Sequence, residues 1–367
     1  MGLFIRKPFE ALQAEANASG KKTLKRVLGP WSLVALGVGV IIGAGLFSIT
    51  GTVAAGYTGP AITLSFAIAA LGCCFTGLCY AEFASMIPVA GSAYTYSYAT
   101  MGELVAWIIG WDLVLEYCVA ATTVSISWSR YLVVFLEGFG VHLPQALTAC
   151  PWDGGIVNIP AFVIVVLMSI LLIRGTEGSS IFNGIIVFLK VSVVLVFVVL
   201  GWKYIRMENY TPYIPANTGT LGEFGFSGIL RGAAIVFFAF LGFDAVSTAA
   251  QETKNPKRNM PIGILMSLVV CTILYMLFAH VMTGVVHYSA FAGQNGIAPV
   301  AIAIDHMGQM DASGVNSSGL PLDEPGDRNS YFTGVLLGYH GNVIRTESCI
   351  LEYEPGWAAP SPIFPYP

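Results

Sequence analysis

Apolar runs long enough to cross a membrane recur along most of the chain, and this feature constrains the fold more than any other. A spanning helix needs roughly 20 mainly apolar residues. The chain is 55% hydrophobic and only 10% charged, whereas soluble domains carry about 25% charged residues. The sequence therefore predicts an all-α polytopic membrane protein with the lipid bilayer as its surroundings. Its seven predicted spans lie at about 32–56, 61–86, 103–129, 157–174, 179–202, 228–250 and 260–285.

Basic residues are divided unevenly between the two sides that these spans define. With the N-terminus inside, ten lie on the cytoplasmic side and four on the outer side. Because cytoplasmic loops carry an excess of Lys and Arg, we expect a cytoplasmic N-terminus and a multi-pass protein of the cell inner membrane. We expect no nucleic-acid partner. The ten are Arg6, Lys7, Lys21, Lys22, Lys25, Arg26, Arg174, Lys254, Lys257 and Arg258, and the four are Arg130, Lys203, Arg206 and Arg231.

The first span contains an unusual concentration of glycine. The stretch GVGVIIGAGLFSITG, from Gly37 to Gly51, carries five glycines, although glycine costs about 1 kcal/mol relative to alanine inside a helix. One interpretation is tight helix packing through small residues. The other is a broken helix, whose unwound backbone offers N–H groups to an anion and carbonyl groups to a cation. The spacing alone leaves both interpretations open.

A second interruption lies in the sixth span. In FFAFLGFDAVSTAAQETKNP, Gly242 and Asp244 interrupt an apolar run that begins near Ile229. Interrupted helices at corresponding positions in the two halves of a transporter indicate its binding site. The first and sixth spans are five apart, as the opening spans of two repeats would be. The pair of interruptions therefore favours a binding site over packing alone.

Lys190 lies in the middle of the fifth span, with about nine apolar residues on either side. At 1.5 Å per residue it is about 14 Å from either end of the helix, farther than a lysine stem of roughly 6 Å can reach. Ionisable residues at such depth are costly and mark functional sites. A lysine here could gain and lose a proton during a transport cycle. The alternative is a structural lysine that caps unwound carbonyls of a neighbouring helix, and the two roles are compatible.

Other candidate residues and function classes have weaker support. Asp112 and Glu116 are four residues apart and share a helix face, which leaves structural pairing and coupling both open. The sequence contains no nucleophile elbow, zinc-binding HExxH, P-loop or dinucleotide fingerprint, so we do not expect an enzyme, a metal site or an organic cofactor. A channel is the remaining alternative, but broken helices beside a buried titratable lysine favour alternating access.

Four segments together resemble one family. GVGVIIGAGLFSITG, YAEFASMIPVAGSAYTYSY, GWDLVLEYCVAATTVSISWSRY and FFAFLGFDAVSTAAQETKNPKRNMPIGI are similar to amino-acid permeases of the amino acid–polyamine–organocation superfamily. The branch they resemble most is that of bacterial permeases like the cationic amino acid transporters, and the likeness covers about residues 20–310. It implies a LeuT-like inverted-repeat fold, with spans 1–5 and 6–10 as the repeats.

The resemblance also implies a site and a coupling ion. The substrate's carboxylate would meet the first break, and its amino group would meet carbonyls of both breaks. Lys190 matches the lysine that, in proton-coupled members, occupies the place of a sodium ion, which implies a proton as the coupling ion. The implied substrate-binding residues are Ile41, Ile42, Gly43, Ala44, Gly45, Phe238, Ala239 and Leu241.

The family comparison divides the chain into a cytoplasmic segment, residues 1–30, a transmembrane permease domain, residues 31–310, and a tail, residues 311–367. Family members have about twelve spans, so we expect a chain truncated after about seven. The tail is polar and rich in proline. Back-translation of RTESCILEYEPGWAAP, Arg345 to Pro360, read one nucleotide later, permits a segment similar to the one that closes span 8 in this family. We therefore interpret the tail as frameshifted, non-homologous and disordered.

These observations predict secondary active transport of amino acids, coupled to protons through alternating access. We expect the seven-span chain to be inactive by itself. The alternative is a non-transporting truncated membrane protein, either the product of a pseudogene or a subunit that depends on a partner.

Overall fold

A computed structural model describes residues 6–8, 26–89, 91–151, 154–173, 179–292 and 299–313. Within these ranges the chain is mostly helical and forms no β-strand. This confirms the prediction of an all-α protein. Most of the predicted N-terminal segment and the part of the predicted frameshifted tail beyond Ser313 lie outside the described residues.

The helices are numbered here in chain order. The second is irregular, because wide π-helical turns at Gly45–Ile49 and Ala54–Thr58 flank the α-helical turn Thr50–Val53. The helices are α1 (Pro30–Ile41), α2 (45–58), α3 (Ile62–Met86), α4 (Ser92–Thr100), α5 (Glu103–Gly138), α6 (Ile159–Ile173), α7 (Ser179–Gly201), α8 (Gly225–Val236), α9 (Pro256–Val285) and α10 (Pro299–Ser313).

Each of the seven predicted spans contains a helix. Within the described ranges, five helical segments are long and apolar enough to cross a membrane, and α1 and part of α6 are shorter apolar helices. The first predicted span is divided between α1 and α2. Hydropathy did not reveal α4, whose sequence SAYTYSYAT is polar, or α10, which has only 15 residues. The five segments are Gly45–Met86, Glu103–Glu137, Val187–Tyr204, Gly225–Glu252 and Pro256–Val285.

Helix α9 lies at the centre of the bundle and packs along α3, α1 and α7. Small residues let these helices approach closely, as is common in membranes. A Cβ atom added at Gly37 of α1 would lie 2.5 Å from the hydroxyl oxygen of Ser267 on α9. On α3, a Cβ atom at Gly77 would lie 2.7 Å from a methyl group of Leu268. The packing interpretation of the glycine-rich stretch is therefore confirmed at Gly37.

The first span is also broken, as the binding interpretation predicts. Helix α1 ends at Ile41, and Ile42 has an extended backbone with ψ 109°. The helix resumes over the next two residues, where the carbonyl of Gly43 accepts hydrogen bonds from the amides of Leu46 and Phe47. Both interpretations of this stretch therefore hold, because Gly37 permits close packing and Gly43 lies in the break.

The sixth span is broken at the predicted place. Helix α8 passes into a 3₁₀ turn at Phe237–Phe240, and a second 3₁₀ segment begins at Asp244. Between them Gly242 has φ +103°, a backbone conformation that glycine adopts without steric cost. The two breaks are in contact, because a Cβ atom added at Gly45 would lie only 2.2 Å from the Cα atom of Ala239.

Candidate functional site

A cavity lies between the two breaks and one face of α5. Its empty space, open mouth included, measures about 490 Å³. The lining residues are Val40, Ile41, Gly43, Ala44, Gly45, Tyr117, Ala120, Val124, Phe238, Ala239, Leu241, Gly242 and Ala245. Seven of the eight residues that the resemblance implies for substrate binding are among them. The eighth, Ile42, does not line this space.

The backbone carbonyl of Ile42 contacts Lys190 instead. The Lys190 side chain is 1% exposed, and its Nζ atom donates to the carbonyl oxygens of Gly39, at 2.5 Å, and Ile42, at 3.1 Å. These carbonyls are available because α1 ends at the break, and the last carbonyls of a helix have no partner within it. The capping role considered for Lys190 is therefore present in the structure. Its role in proton coupling stays a prediction.

Tyr275 of α9 lies behind the cavity and touches both breaks. Its side chain is completely buried. The hydroxyl oxygen lies 2.8 Å from the carbonyl oxygen of Ile41 and 2.9 Å from that of Ala239. The sequence reasoning missed this residue, since a tyrosine in an apolar span is usually a core residue whose hydroxyl has one local partner.

The wall opposite the breaks comes from α5. Tyr117, Ala120 and Val124 line the cavity, and their spacing of three and four residues places them on one helix face. The sequence reasoning missed them as well. Trp107 and Trp111 on the same helix are exposed, but nothing in the sequence indicates which part of the protein each face of α5 contacts.

Acidic side chains lie near the cavity wall that α5 forms, but they do not line the cavity. Asp244 is 6% exposed, and its Oδ2 atom accepts a hydrogen bond of 3.2 Å from the hydroxyl of Tyr117. Glu116 is half-buried and lies close enough to Asp244 and Asp112 for like-charge repulsion. Asp112 itself is exposed. Asp244 thus contacts the cavity-lining residue Tyr117, whereas Asp112 is exposed.

The irregular helix α2 is held against α5 by polar contacts. The hydroxyl of Tyr131 donates to the carbonyl of Phe47 at 2.6 Å, and the hydroxyls of Ser48 and Ser127 are hydrogen-bonded to each other. Within α2, the hydroxyl of Thr50 donates to the carbonyl of Leu46 at 2.6 Å. Side chains thus satisfy carbonyls of the wide turns, so the half-helix that begins at the first break is fixed relative to the cavity wall.

The two helix ends at the first break carry opposite partial charges. Amides at the start of a helix have no preceding helical carbonyl to bond, and carbonyls at the end of a helix have no following amide. In the first turn of α2, the amides of Leu46 and Phe47 donate to Gly43, and the end of α1 presents carbonyls. The helix dipoles place partial positive charge at the first end and partial negative charge at the second. Gly43, Ala44 and Gly45 lie at the positive end and line the cavity. The arrangement can bind a zwitterion, with an anionic group at the amides and a cationic group at the carbonyls.

Comparison with known proteins places the chain in a family. The family model described as Amino acid permease matches residues 28–313. The chain is 44% identical to the methylthioribose transporter of Bacillus subtilis over 86% of this chain and 66% of that protein. It is 49% identical to the branched-chain amino acid permease BcaP of the same organism, over 84% of this chain and 64% of the relative. A vacuolar cationic amino acid transporter 4 of Arabidopsis thaliana is 36% identical over 82% of this chain and 49% of its own length.

The chain spans less than two thirds of the length of the two Bacillus relatives and about half of the plant relative. The matched region includes both broken helices, Lys190 and Tyr275. Its extent and the identities above establish that the chain belongs to the amino acid permease family of the amino acid–polyamine–organocation superfamily.

Proposed function

We propose that the protein transports amino acids across a membrane by alternating access and couples this movement to protons. The observation that carries the proposal is the meeting of two broken helices at one cavity, with a buried lysine bound to the carbonyls of the first break. Discontinuous helices that present opposite partial charges to a common site are the form that substrate sites take in transporters of this kind.

The backbone of the breaks would hold the groups that all amino acids share. The substrate's carboxylate lies at the amides of Gly43, Ala44 and Gly45, and its ammonium group faces carbonyls near Ile41 and Ala239. Both breaks line the cavity, which supports this assignment.

The cavity wall favours an uncharged, apolar substrate side chain. Of the lining residues that the structure describes, Tyr117 alone has a polar side-chain atom. The relatives are named for branched-chain amino acids, for cationic amino acids and for methylthioribose. The apolar wall is the reason to test branched-chain amino acids first, because a cationic side chain needs a polar partner when it is buried.

The proton would act through Lys190. In its charged form the lysine donates to two carbonyls of the first break, and loss of the proton removes the charge that attracts them. Proton occupancy would thus change the stability of the unwound segment that holds the substrate. The basic N-terminal segment would lie in the cytoplasm, because positive charge is concentrated on that side.

The alternative is that this chain alone binds amino acids but does not transport them. The chain spans 66% and 64% of the length of the two Bacillus relatives, so transport by this chain has to be measured separately from binding. Binding and transport can be separated by experiment, so the two possibilities predict different results.

The test uses the purified 367-residue chain in liposomes with an acidic exterior. Radiolabelled L-leucine, L-isoleucine and L-lysine are supplied with and without a protonophore, and binding of the same compounds is measured in detergent. Proton-coupled transport predicts accumulation of leucine or isoleucine that the protonophore abolishes. Accumulation that is unchanged by the protonophore would contradict proton coupling. Binding without accumulation would support the alternative.

A further inference from the structure

The hydroxyl of Tyr275 lies at hydrogen-bonding distance from a backbone carbonyl of each broken helix. Its oxygen lies 2.8 Å from the carbonyl oxygen of Ile41 in the first break and 2.9 Å from that of Ala239 in the second. Ile41 and Ala239 both line the cavity. The bonds of Lys190 to Gly39 and Ile42, by contrast, lie at the first break.

We propose that Tyr275 is a positioning residue: it holds one carbonyl of each break together so that both can accept hydrogen bonds from the substrate's ammonium group. This proposal rests on the proposed function, since it concerns the same site. Tyr275 does not line the cavity and has no contact with the substrate. It acts through the two carbonyls.

The chemistry of a hydroxyl leaves acceptor capacity for the substrate. A tyrosine hydroxyl has one hydrogen, and a carbonyl oxygen has two lone pairs. The hydroxyl therefore donates fully to one of the two carbonyls at a time or shares its hydrogen between them. Each carbonyl keeps at least one lone pair, and an ammonium group with three N–H donors can bond both. The tyrosine brings the two acceptors together without using up their capacity.

The ring of Tyr275 is held by aromatic neighbours. Its centroid lies 5.5 Å from that of Phe66 on α3 and 5.3 Å from that of Phe240 in the second break. Since these contacts involve the ring and not the hydroxyl, Tyr275→Phe removes the bridge and keeps the packing. The position of the hydroxyl is thus determined by the core, and it can serve as a fixed point for both breaks.

Tyr210, in the turn Met207–Tyr210, offers a control whose hydroxyl bonds a backbone carbonyl of α9. The hydroxyl of Tyr210 donates to the carbonyl of His280 on α9 at 2.7 Å, and Tyr210 does not line the cavity. Tyr210→Phe removes one bond from a tyrosine to a backbone carbonyl, as Tyr275→Phe does. A loss of general stability should therefore appear in both variants, and a loss of substrate recognition in Tyr275→Phe alone.

The readout is recognition of the ammonium group. Dissociation constants for L-leucine and for 4-methylpentanoate, which is leucine without its amino group, are measured on purified chain by equilibrium binding. We expect the wild type to bind leucine more tightly than 4-methylpentanoate. Tyr275→Phe should reduce the ratio of the dissociation constant for 4-methylpentanoate to that for leucine at least about tenfold, mainly through weaker binding of leucine. Tyr210→Phe should leave this ratio unchanged.

The possible results separate this proposal from the proposed function. If the wild type binds leucine and the ratio of the two dissociation constants is the same in Tyr275→Phe, the positioning role is overturned and the proposed function stays intact. A wild type that binds neither branched-chain nor cationic amino acids would overturn both. If Tyr275→Phe does not fold, Tyr275→Met, which fills the site with a flexible apolar side chain, provides a second hydroxyl-free variant with the same expected result.

Discussion

The side-chain nitrogen of Lys190 on α7 lies 2.5 Å from the carbonyl oxygen of Gly39 on α1. The two residues are far apart in the sequence, and the contact exists because α1 stops at Ile41 and leaves its last carbonyls without helical partners. A buried ammonium group needs such partners, since its transfer out of water is costly. The charge on the lysine and the shape of the break therefore stabilise each other.

Replacing Lys190 by alanine tests the coupling role. Lys190→Ala removes the titratable group, so we expect accumulation driven by a pH gradient to fall at least about tenfold, while exchange of labelled for unlabelled substrate across the membrane continues. The measurement is uptake into liposomes with and without the gradient. Lys203→Ala, which changes an exposed lysine in the turn that follows the same helix, serves as the control and should behave like the wild type.

Full pH-driven accumulation by Lys190→Ala would contradict proton coupling through this residue. Loss of leucine binding together with transport would indicate that Lys190 only caps the break. The exchange measurement separates the coupling role from the capping role, because exchange continues only if the substrate site is still intact.

Gly45→Ala tests the contact between the breaks. The added Cβ atom would lie 2.2 Å from the backbone of Ala239, so one break must move, and we expect a loss of about 1–3 kcal/mol or more in stability. Gly56→Ala is the matched control within α2, because no atom lies within 4 Å of a Cβ atom there, and the change should be neutral or stabilising by up to about 1 kcal/mol. Thermal unfolding in detergent measures both. Equal melting temperatures would show that the breaks do not meet as described.

Ala120→Leu tests the apolar wall. Ala120 is 4% exposed and lines the cavity, so a larger side chain reduces the space available to the substrate. We expect binding of leucine to weaken by about 10-fold or more, because a methylene group in a tight pocket contributes roughly 1–3 kcal/mol, and binding of glycine to change much less. Val119→Leu, at a position that is 51% exposed, should leave both affinities unchanged. Equal losses for leucine and glycine would place the substrate side chain elsewhere.

Asn209→Ala tests how the loop before α8 is attached to the end of α9. The Nδ2 atom of Asn209 donates to the carbonyl of Gly284 at 2.6 Å, near the end of α9, where backbone carbonyls lack helical partners. Removing this donor should destabilise the protein by about 1 kcal/mol. The neighbouring exposed Glu208 offers the control Glu208→Ala, which should have little effect. The measurement is thermal unfolding. If Asn209→Ala is as stable as the wild type, water replaces the hydrogen bond of the amide without loss of stability.

The spans and the positions of both breaks could be predicted from the sequence. Lipid requires runs of apolar residues of known length, and glycine and an acidic residue inside such a run are costly enough to mark an interruption. That is why the predicted breaks at Gly43 and Gly242 agree with the structure. Depth within a span likewise identified Lys190 as a residue that must find partners inside the protein.

Tertiary structure alone decided which groups meet. Nothing in the sequence distinguishes the roles of Tyr117, Tyr275 and Ile42, because each lies in a predominantly apolar span. Tyr117 lines the cavity, Tyr275 bridges the two breaks from behind it, and Ile42 presents its carbonyl to Lys190 instead of the cavity. Hydropathy records how deeply a residue lies in the membrane but carries no information about which neighbouring helix its side chain faces, because every face of a buried helix is apolar. The rotation and packing of helices distant in sequence determine that.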